Sequence, residues 1–375
     1  MRRALIFHDC LDIYSGAEYF LLYVLKFFEN IDKTPYIVAT FTNMHTFPYI
    51  NKLVERKPQN FVSFVKHKYV YTQIVDASKF LFKIRRTFKP NLLFITQGAP
   101  APLFSLIFSR TLKDVDVKIM RLTTNALNIL TGYMGGHKLS LMPARLLSRT
   151  LANSCDFKNY LFLANSPEMR HNTLKFFPNL NVEVLFTPFD NTFFYPRIDL
   201  KEISILMAGR IHPSKNICAG LNILAKVKEL IDGVKLYIVG EVYDQRYLEH
   251  ILKRIKELSL RKNVIIVTDG RQEIIRNYMW KSKVSFGVSS GYHGITNVEC
   301  LACGAMPIVL PNLKSSVGDY GYVAFDRDDF IDLTVKILTS PINWQRILRG
   351  YEWAESMFSP QVFFKRLNEI FENLA

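Results

Sequence analysis

Short apolar runs alternate with longer segments of helical period along the whole chain, the pattern of parallel strands joined by crossover helices. In the first half, residues 4–8, 36–41, 92–96, 118–122 and 160–164 read as strands and 18–28 as a helix. The second half restarts the alternation. It predicts strands at 204–208, 235–239, 264–267 and 284–287, with helices at 217–231 and 247–258. The expectation is an α/β protein of two doubly wound sheets in tandem, and ligands of such sheets bind beyond the carboxyl ends of the strands. The segment FDNTFFYP, residues 189–196, mixes turn residues with aromatics and marks a domain boundary.

A length of 375 residues agrees with two domains. The most apolar long stretch, 92–108, is broken by Gln97, Gly98, Pro100 and Pro102, short of the roughly 18–20 continuous apolar residues of a spanning helix. The opening MRRALIF reads as a first strand and not as a signal peptide. Five cysteines, odd in number and scattered, suit a reducing interior. Cys300 and Cys303 form a lone CxxC without the second pair that structural zinc needs, so no metal is expected.

The net charge of +15 is unevenly placed, with 24 Lys and Arg against 13 Asp and Glu in residues 1–190. Such a surface attracts nucleic acid, an acidic membrane leaflet or a phosphorylated acceptor. Nucleic acid has the charge in its favour but no recognition motif, so it is not an expected partner. Lys79, Lys83, Arg85, Arg86 and Lys89 interleave with Phe80, Leu81, Phe82, Ile84 and Phe88 on one helix. That helix could lie on a leaflet, or pack its apolar side chains into the core with the cations solvated; Arg145 and Arg149 pose the same question.

Three segments carry candidate chemistry. After the first strand, Ser15-Gly16-Ala17 precedes a helix, and a small-residue turn at a helix start can cradle an anion; a plain tight turn fits equally. In MAGRIHPSKN, Gly209 and Arg210 follow a strand and Lys215 comes five residues later, where an α/β site receives phosphate; two solvated cations have the same spacing. In SFGVSSGYHGITNVECLACGAMPIVL a strand ends at Gly287 and a helix opens near residues 296–297 with Glu299 in its first turn. A carboxylate there could offset the helix dipole or accept hydrogen bonds from ribose hydroxyls.

GYHGITNVE followed by LACGAMPIVL resembles the donor signature of retaining glycosyltransferases of the GT-B architecture, family four, which includes Alg2- and Alg11-type mannosyltransferases. SGAEYF resembles that family's GGAE loop and GRIHPSKN its phosphate clamp; ANSPEMRHNTLKFF, VLFTPFDNTFFYP, KLYIVGE and FSPQVFFKRLNEIF fall in family order. The resemblance implies two Rossmann-like domains facing across a cleft: 1–190 for the acceptor, 191–355 for the nucleotide-sugar donor, and a helix in 356–375 packing back on the first. It implies a hexosyltransferase using a GDP- or UDP-sugar as substrate with no cofactor, a glycan or lipid-linked acceptor, and a cytoplasmic protein that could sit peripherally on the inner membrane face. Retention of configuration comes from the resemblance alone.

By the same resemblance, Arg210 and Lys215 bind the donor diphosphate beside Gly209, Glu299 holds the ribose, and the backbone of Gly294, Ile295 and Thr296 faces phosphate or sugar. Gly16 approaches the donor from the first domain, and Gly270-Arg271 lies where the family packs the base. Two departures stand out. The first Glu of the signature is Gly291 here, and where many members carry a His in the first domain, this chain has Thr124 and Asn125. The acceptor-side candidates are therefore His8, Asp9, Thr124 and Asn125, with His137 and His293 as further histidines. The departures also support an alternative, a catalytically weakened GT-B protein acting as a sugar-nucleotide-binding or scaffold subunit.

Overall fold

A computed structural model describes residues 2–8, 16–40, 58–63, 70–97, 115–122, 160–197, 199–289, 291 and 294–374. These fall into two compact units, Met1–Thr187 with Phe363–Ala375, and Pro188–Val362.

The first unit holds seven parallel strands: β1 (Ala4–His8), β2 (Tyr36–Thr40), β3 (Phe61–Ser63), β4 (Leu92–Gln97), β5 (Val117–Leu122), β6 (Tyr160–Ala164) and β7 (Asn181–Val184), in the order 3-2-1-4-5-6-7. β1 and β6 are buried along their whole length, as strands covered on both faces must be, which is why they read as unbroken apolar runs. The short β3 and β7 give no such run. Three helices of this unit are α1 (Gly16–Asn30), α2 (Val70–Thr87) and α3 (Pro167–Phe176).

The C-terminal helix, Pro360–Asn373, buries Phe363, Leu367, Ile370 and Phe371, spaced as one helical face. Phe363 meets Phe20 edge to face at 5.4 Å and Phe371 stacks on Phe27 at 5.7 Å. Arg366 Nη2 reaches Glu183 Oε2 at 2.7 Å. On α2, Leu81 and Ile84 are buried, whereas Phe82 is exposed with the Arg86 guanidinium 4.1 Å over its ring. That helix is thus held by its aliphatic side chains, with the cations outward; Arg145 and Arg149 lie outside the described residues.

The second unit holds β8 (Glu202–Ala208), β9 (Lys235–Val239), β10 (Val264–Val267), β11 (Ser282–Gly287), β12 (Met306–Val309) and β13 (Tyr322–Val323), all parallel, in the order 10-9-8-11-12-13. Its helices are α4 (Ile217–Leu230), α5 (Gln245–Glu257), α6 (Gln272–Lys281), α7 (Ile295–Ala302), α8 (Arg327–Thr339) and α9 (Trp344–Phe358). Asp244, Asp326 and Asn343 cap α5, α8 and α9 through side-chain oxygens. The strand order reverses between β8 and β11, so the loops leaving these two strands form the crevice where such a sheet receives a ligand.

One element differs from its sequence reading in a way that matters. α7 opens at Ile295, a residue early, which moves Glu299 beyond the first turn; an acid one turn further in is poorly placed to offset the dipole. Cys300 and Cys303 are buried free thiols, and burial pushes Cys300 up to about 12, an inert environment. Among the described residues, no helix is long and apolar enough to cross a membrane.

Candidate functional site

The first wall of the crevice is the chain leaving β8. Gly209 adopts a φ of +120°, and Gly240, after β9, presses on it so closely that a Cβ on Gly240 would overlap the Gly209 carbonyl oxygen. Only glycine permits both the backbone angle and the approach. The Ile211 amide donates to the Glu241 carbonyl at 2.8 Å, fixing the loop's path. A single turn of 3₁₀ helix, Pro213–Lys215, follows, with the His212 Nδ1 accepting from the Ser214 amide at 3.2 Å and Asn216 left-handed at φ 50°. This turn folds the chain back so that Lys215 lies along Gly209. The Arg210 guanidinium rests 5.1 Å from the centre of the Tyr243 ring.

The second wall is the end of β11 and the start of α7. Gly294 is the N-cap residue, with no side chain to cap the helix, so the Ile295 and Thr296 amides have no acceptor within the helix. Asn297 shapes the approach to them. A Cβ on Gly287 would stand 2.8 Å from its Oδ1, and one on Gly294 2.7 Å from its Nδ2, while Nδ2 donates to Ser316 Oγ at 3.2 Å. The two glycines leave room for the buried amide, and the amide holds the loop to the helix. Gly209, Lys215, Gly287, Ser289, Gly294 and Thr296 line one pocket between these walls.

The electrostatics join three of the predicted residues. Glu299 is 9% exposed, and burial pushes its carboxyl up to about 7, opposed by the positive charge of Lys215. Burial and the neighbouring Arg210 lower the Lys215 ammonium, and Glu299 raises it. Burial, Arg210 and Lys215 also hold His212 below the usual histidine range, against Asp244. An incoming negative charge would relieve the repulsion between Arg210 and Lys215. With amides of a helix N-terminus alongside, the pocket is chemically suited to phosphate.

The remaining predicted residues of the second unit make contacts of their own. Gly270 packs on Glu241, a Cβ there standing 3.0 Å from the Glu241 Cβ. Arg271 is 73% exposed and its fork is taken by Asp269, with Nη2 to Oδ2 at 2.6 Å. Gly291 offers no side chain, and its carbonyl accepts from Asn312 Nδ2. Gly16 is the first residue of α1. Asp9, Thr124, Asn125, His137 and His293 lie outside the described residues.

His8 is fully buried within the first unit. Its Nδ1 lies 2.7 Å from Thr96 Oγ1, and since that hydroxyl donates to the Phe7 carbonyl at 3.1 Å, the imidazole is the donor to Thr96. The pair ties β1 to β4 at that sheet's own reversal. His8 Nε2 is 3.5 Å from Glu18 Oε1. Arg121 is brought down to about 9 by burial, with Glu18 opposing the shift; it donates to Thr187 Oγ1 at 2.8 Å and covers the Phe20 ring at 4.0 Å.

Sequence reasoning missed Asn297, Glu18 and Arg121. An arginine inside the apolar strand VKIMRL was a usable signal for the last. Asn297 gave none, because its role depends on two glycines that only the fold brings against it.

Residues 188–319 match the family model described as Glycosyl transferases group 1. No curated protein sequence matches the chain. Among solved structures, HepE of Anabaena in complex with UDP and glucose is similar with a TM-score of 0.75 at 15% identity, covering 100% of both chains. Sucrose-phosphate synthase of Thermosynechococcus elongatus is similar with a TM-score of 0.73 at 15% identity, covering 100% of this chain and 99% of that one. The lipopolysaccharide outer core galactosyltransferase WaaB in its apo form gives 0.69 at 15% identity over 100% of both chains. The fold is the two-domain α/β fold called GT-B, and the family match lies on the unit that carries the pocket.

Proposed function

We propose that this protein is a glycosyltransferase that moves a hexosyl group from a nucleoside diphosphate sugar to a glycan or lipid-linked acceptor, with retention of configuration and without a metal. The observation that carries the reading is that Lys215, which lines the pocket at the strand-order reversal of the second unit, interacts electrostatically with both Arg210 and Glu299. The family match over residues 188–319 supports it, as do structural relatives holding UDP with glucose and UDP-glucose. In finer detail we assign the chain to family four.

In this reading Arg210 and Lys215 grip the donor diphosphate beside Gly209, and the Ile295 and Thr296 amides add neutral donors. The Glu299 carboxylate accepts from the ribose hydroxyls. As the bond from the sugar C1 to the phosphate oxygen breaks, the bonding pair stays on that oxygen, and charge develops where these donors already point. The acceptor hydroxyl forms the new bond to C1 and passes its proton to the leaving phosphate oxygen. A fixed cation pair needs no reorganisation at that moment, which is the advantage over solvent. Gly270 and Arg271 would flank the base, and Gly291 leaves the sugar without the carboxylate usual in the family.

The test is calorimetric titration of the full chain with UDP, GDP, UDP-glucose and GDP-mannose, followed by donor hydrolysis. Saturable binding that is lost in both Arg210→Ala and Lys215→Ala supports the assigned site. Binding without turnover by any donor would favour the weakened GT-B protein that Gly291 suggests, and unchanged binding in both variants refutes the site.

A further inference from the structure

The second unit has another cavity, at the opposite end of its sheet. The pocket of Gly209 and Gly287 lies where β8 and β11 end, whereas this one lies where β11 and β12 begin, beside Lys283 and Met306. It encloses about 260 Å³, a little below the roughly 300–1,000 Å³ of sites for drug-sized ligands.

Its lining is chemically lopsided. Lys201, Lys283, Lys336 and Arg346 reach it, and among the described residues lining it none is acidic. The rest of the wall is largely apolar, with Met306 and Ile337 among it. Three of the cations have partners that explain their position. Lys201 Nζ donates to the carbonyls of Met279, Ser282 and Cys303 at 2.9–3.2 Å. Lys283 Nζ donates to Leu338 and Ser340 carbonyls at 3.1 and 3.2 Å, neutralising the end of α8. Arg346 donates to the Tyr320 carbonyl at 3.0 Å and lies over the Tyr322 ring at 4.7 Å.

These contacts use carbonyls, not carboxylates; burial brings the Lys201 ammonium down to about 7, so Lys283, Lys336 and Arg346 carry the cavity's charge. Lys283 keeps one ammonium proton uncommitted. Lys336, on the last turn of α8, is exposed, and its ammonium forms no hydrogen bond or ion pair among the described residues. A concave, partly apolar wall with several uncompensated positive charges concentrates anions. The free donors are ammonium points, not an arginine fork, which suits a compact phosphate more than a planar carboxylate.

We propose that this cavity binds a small phosphate monoester, its phosphate between Lys336 and Lys283 and its apolar body against Met306 and Ile337. The site is separate from the donor pocket and does not depend on the function proposed above.

The test is calorimetric titration of the full-length protein with phenyl phosphate, inorganic phosphate and phenol, in wild type and in an Arg210→Ala/Lys215→Ala variant that disables the other anion pocket. Phenyl phosphate should bind saturably in both, with an affinity of about 1 mM or tighter, and more tightly than inorganic phosphate or phenol, since only it satisfies both halves of the wall. Lys336→Glu should weaken binding about tenfold or more, while Lys253→Ala, an exposed cation on α5, should not. Titration with UDP should be unchanged in Lys336→Glu, and the thermal midpoint reports that the variant is folded. Failure to saturate by about 10 mM, tenfold past that affinity, overturns the proposal. So does binding that survives Lys336→Glu, that disappears in the Arg210/Lys215 variant, or that inorganic phosphate or phenol matches.

Discussion

Lys215 lies along the open face of Gly209, with its Cε 3.2 Å and its Nζ 3.4 Å from the place a Cβ on that glycine would occupy. The lysine therefore reaches the pocket only because residue 209 has no side chain, and because φ of +120° turns the following peptide toward Gly240. Gly209→Ala should strain the backbone by about 1–3 kcal/mol and push Lys215 off its path. The expected outcome is a lower thermal midpoint together with weaker nucleoside diphosphate binding; a variant that loses stability yet binds UDP and GDP as wild type would separate the glycine from the lysine.

Arg210→Ala and Lys215→Ala should each lower kcat by about 10²–10³, the usual cost of removing one preorganised charge from a developing anion. Arg210→Lys should fall between wild type and alanine, because a point charge replaces a two-pronged donor that also rests on Tyr243. Steady-state transfer assays at saturating donor check both. An alanine variant that raises KM alone, with kcat intact, would mean that the cation binds the ground state and does not act in the transition state.

Glu299 makes stability depend on pH with a definite sign. Its carboxyl lies near 7 in the folded chain against 4.5 as its ordinary value, chiefly through burial. The native state then holds a proton that the unfolded chain releases between about pH 4.5 and 7. Its contribution is fully present below 4.5 and disappears as pH rises through 7. The loss is on the order of 3 kcal/mol. Glu299→Gln carries no titrating group, so its stability difference from wild type should move in its own favour across that window and level off above it. Denaturant titrations of both proteins at a series of pH values check the slope; parallel curves would contradict the buried, titrating carboxyl.

The sheets were legible because burial on both faces leaves an unbroken apolar signature, as at residues 160–164 and 236–239. β13, of two residues, and β3, of three, are too short to show one. Arg210, Lys215 and Glu299 were legible as residue types at useful spacings, yet spacing alone could not distinguish a shared pocket from separate surfaces. What couples Lys215 to Arg210 and Glu299 is the 3₁₀ turn at Pro213–Lys215, a product of tertiary structure that lays the lysine along Gly209. Arg271 shows the converse. Its position after β10 reads as a ligand contact, while the fold pairs its Nε and Nη2 with Asp269.

That pairing gives Arg271 a modest expected effect. With Asp269 accepting from Nε and Nη2 and the side chain facing solvent, Arg271→Ala should change kcat/KM by less than about tenfold. A drop comparable to that of Arg210→Ala would show that the pair breaks when donor binds and that the arginine turns to the base. Comparing donors with different bases in the same assay would then locate the contact.

Asn297 is the strongest test of the packing argument, because it lines the pocket and also holds the two glycines that border it. Its amide fills the space left by Gly287 and Gly294 and donates to Ser316, which itself donates to the Leu313 carbonyl at 2.6 Å. Asn297→Leu keeps the branched shape but replaces a planar amide with two bulkier methyl groups against two backbones with no slack, a kind of overpacking that costs about 1–3 kcal/mol. The displaced part would be the Gly294 end of α7, which carries the Ile295 and Thr296 amides. Donor affinity should therefore fall about tenfold or more, while Asn297→Ala, which relieves contact instead of adding it, should bind more tightly than Asn297→Leu despite removing more atoms. If the leucine variant binds as well as wild type, the helix start is not held by this amide, and the free N–H groups owe their position to something else.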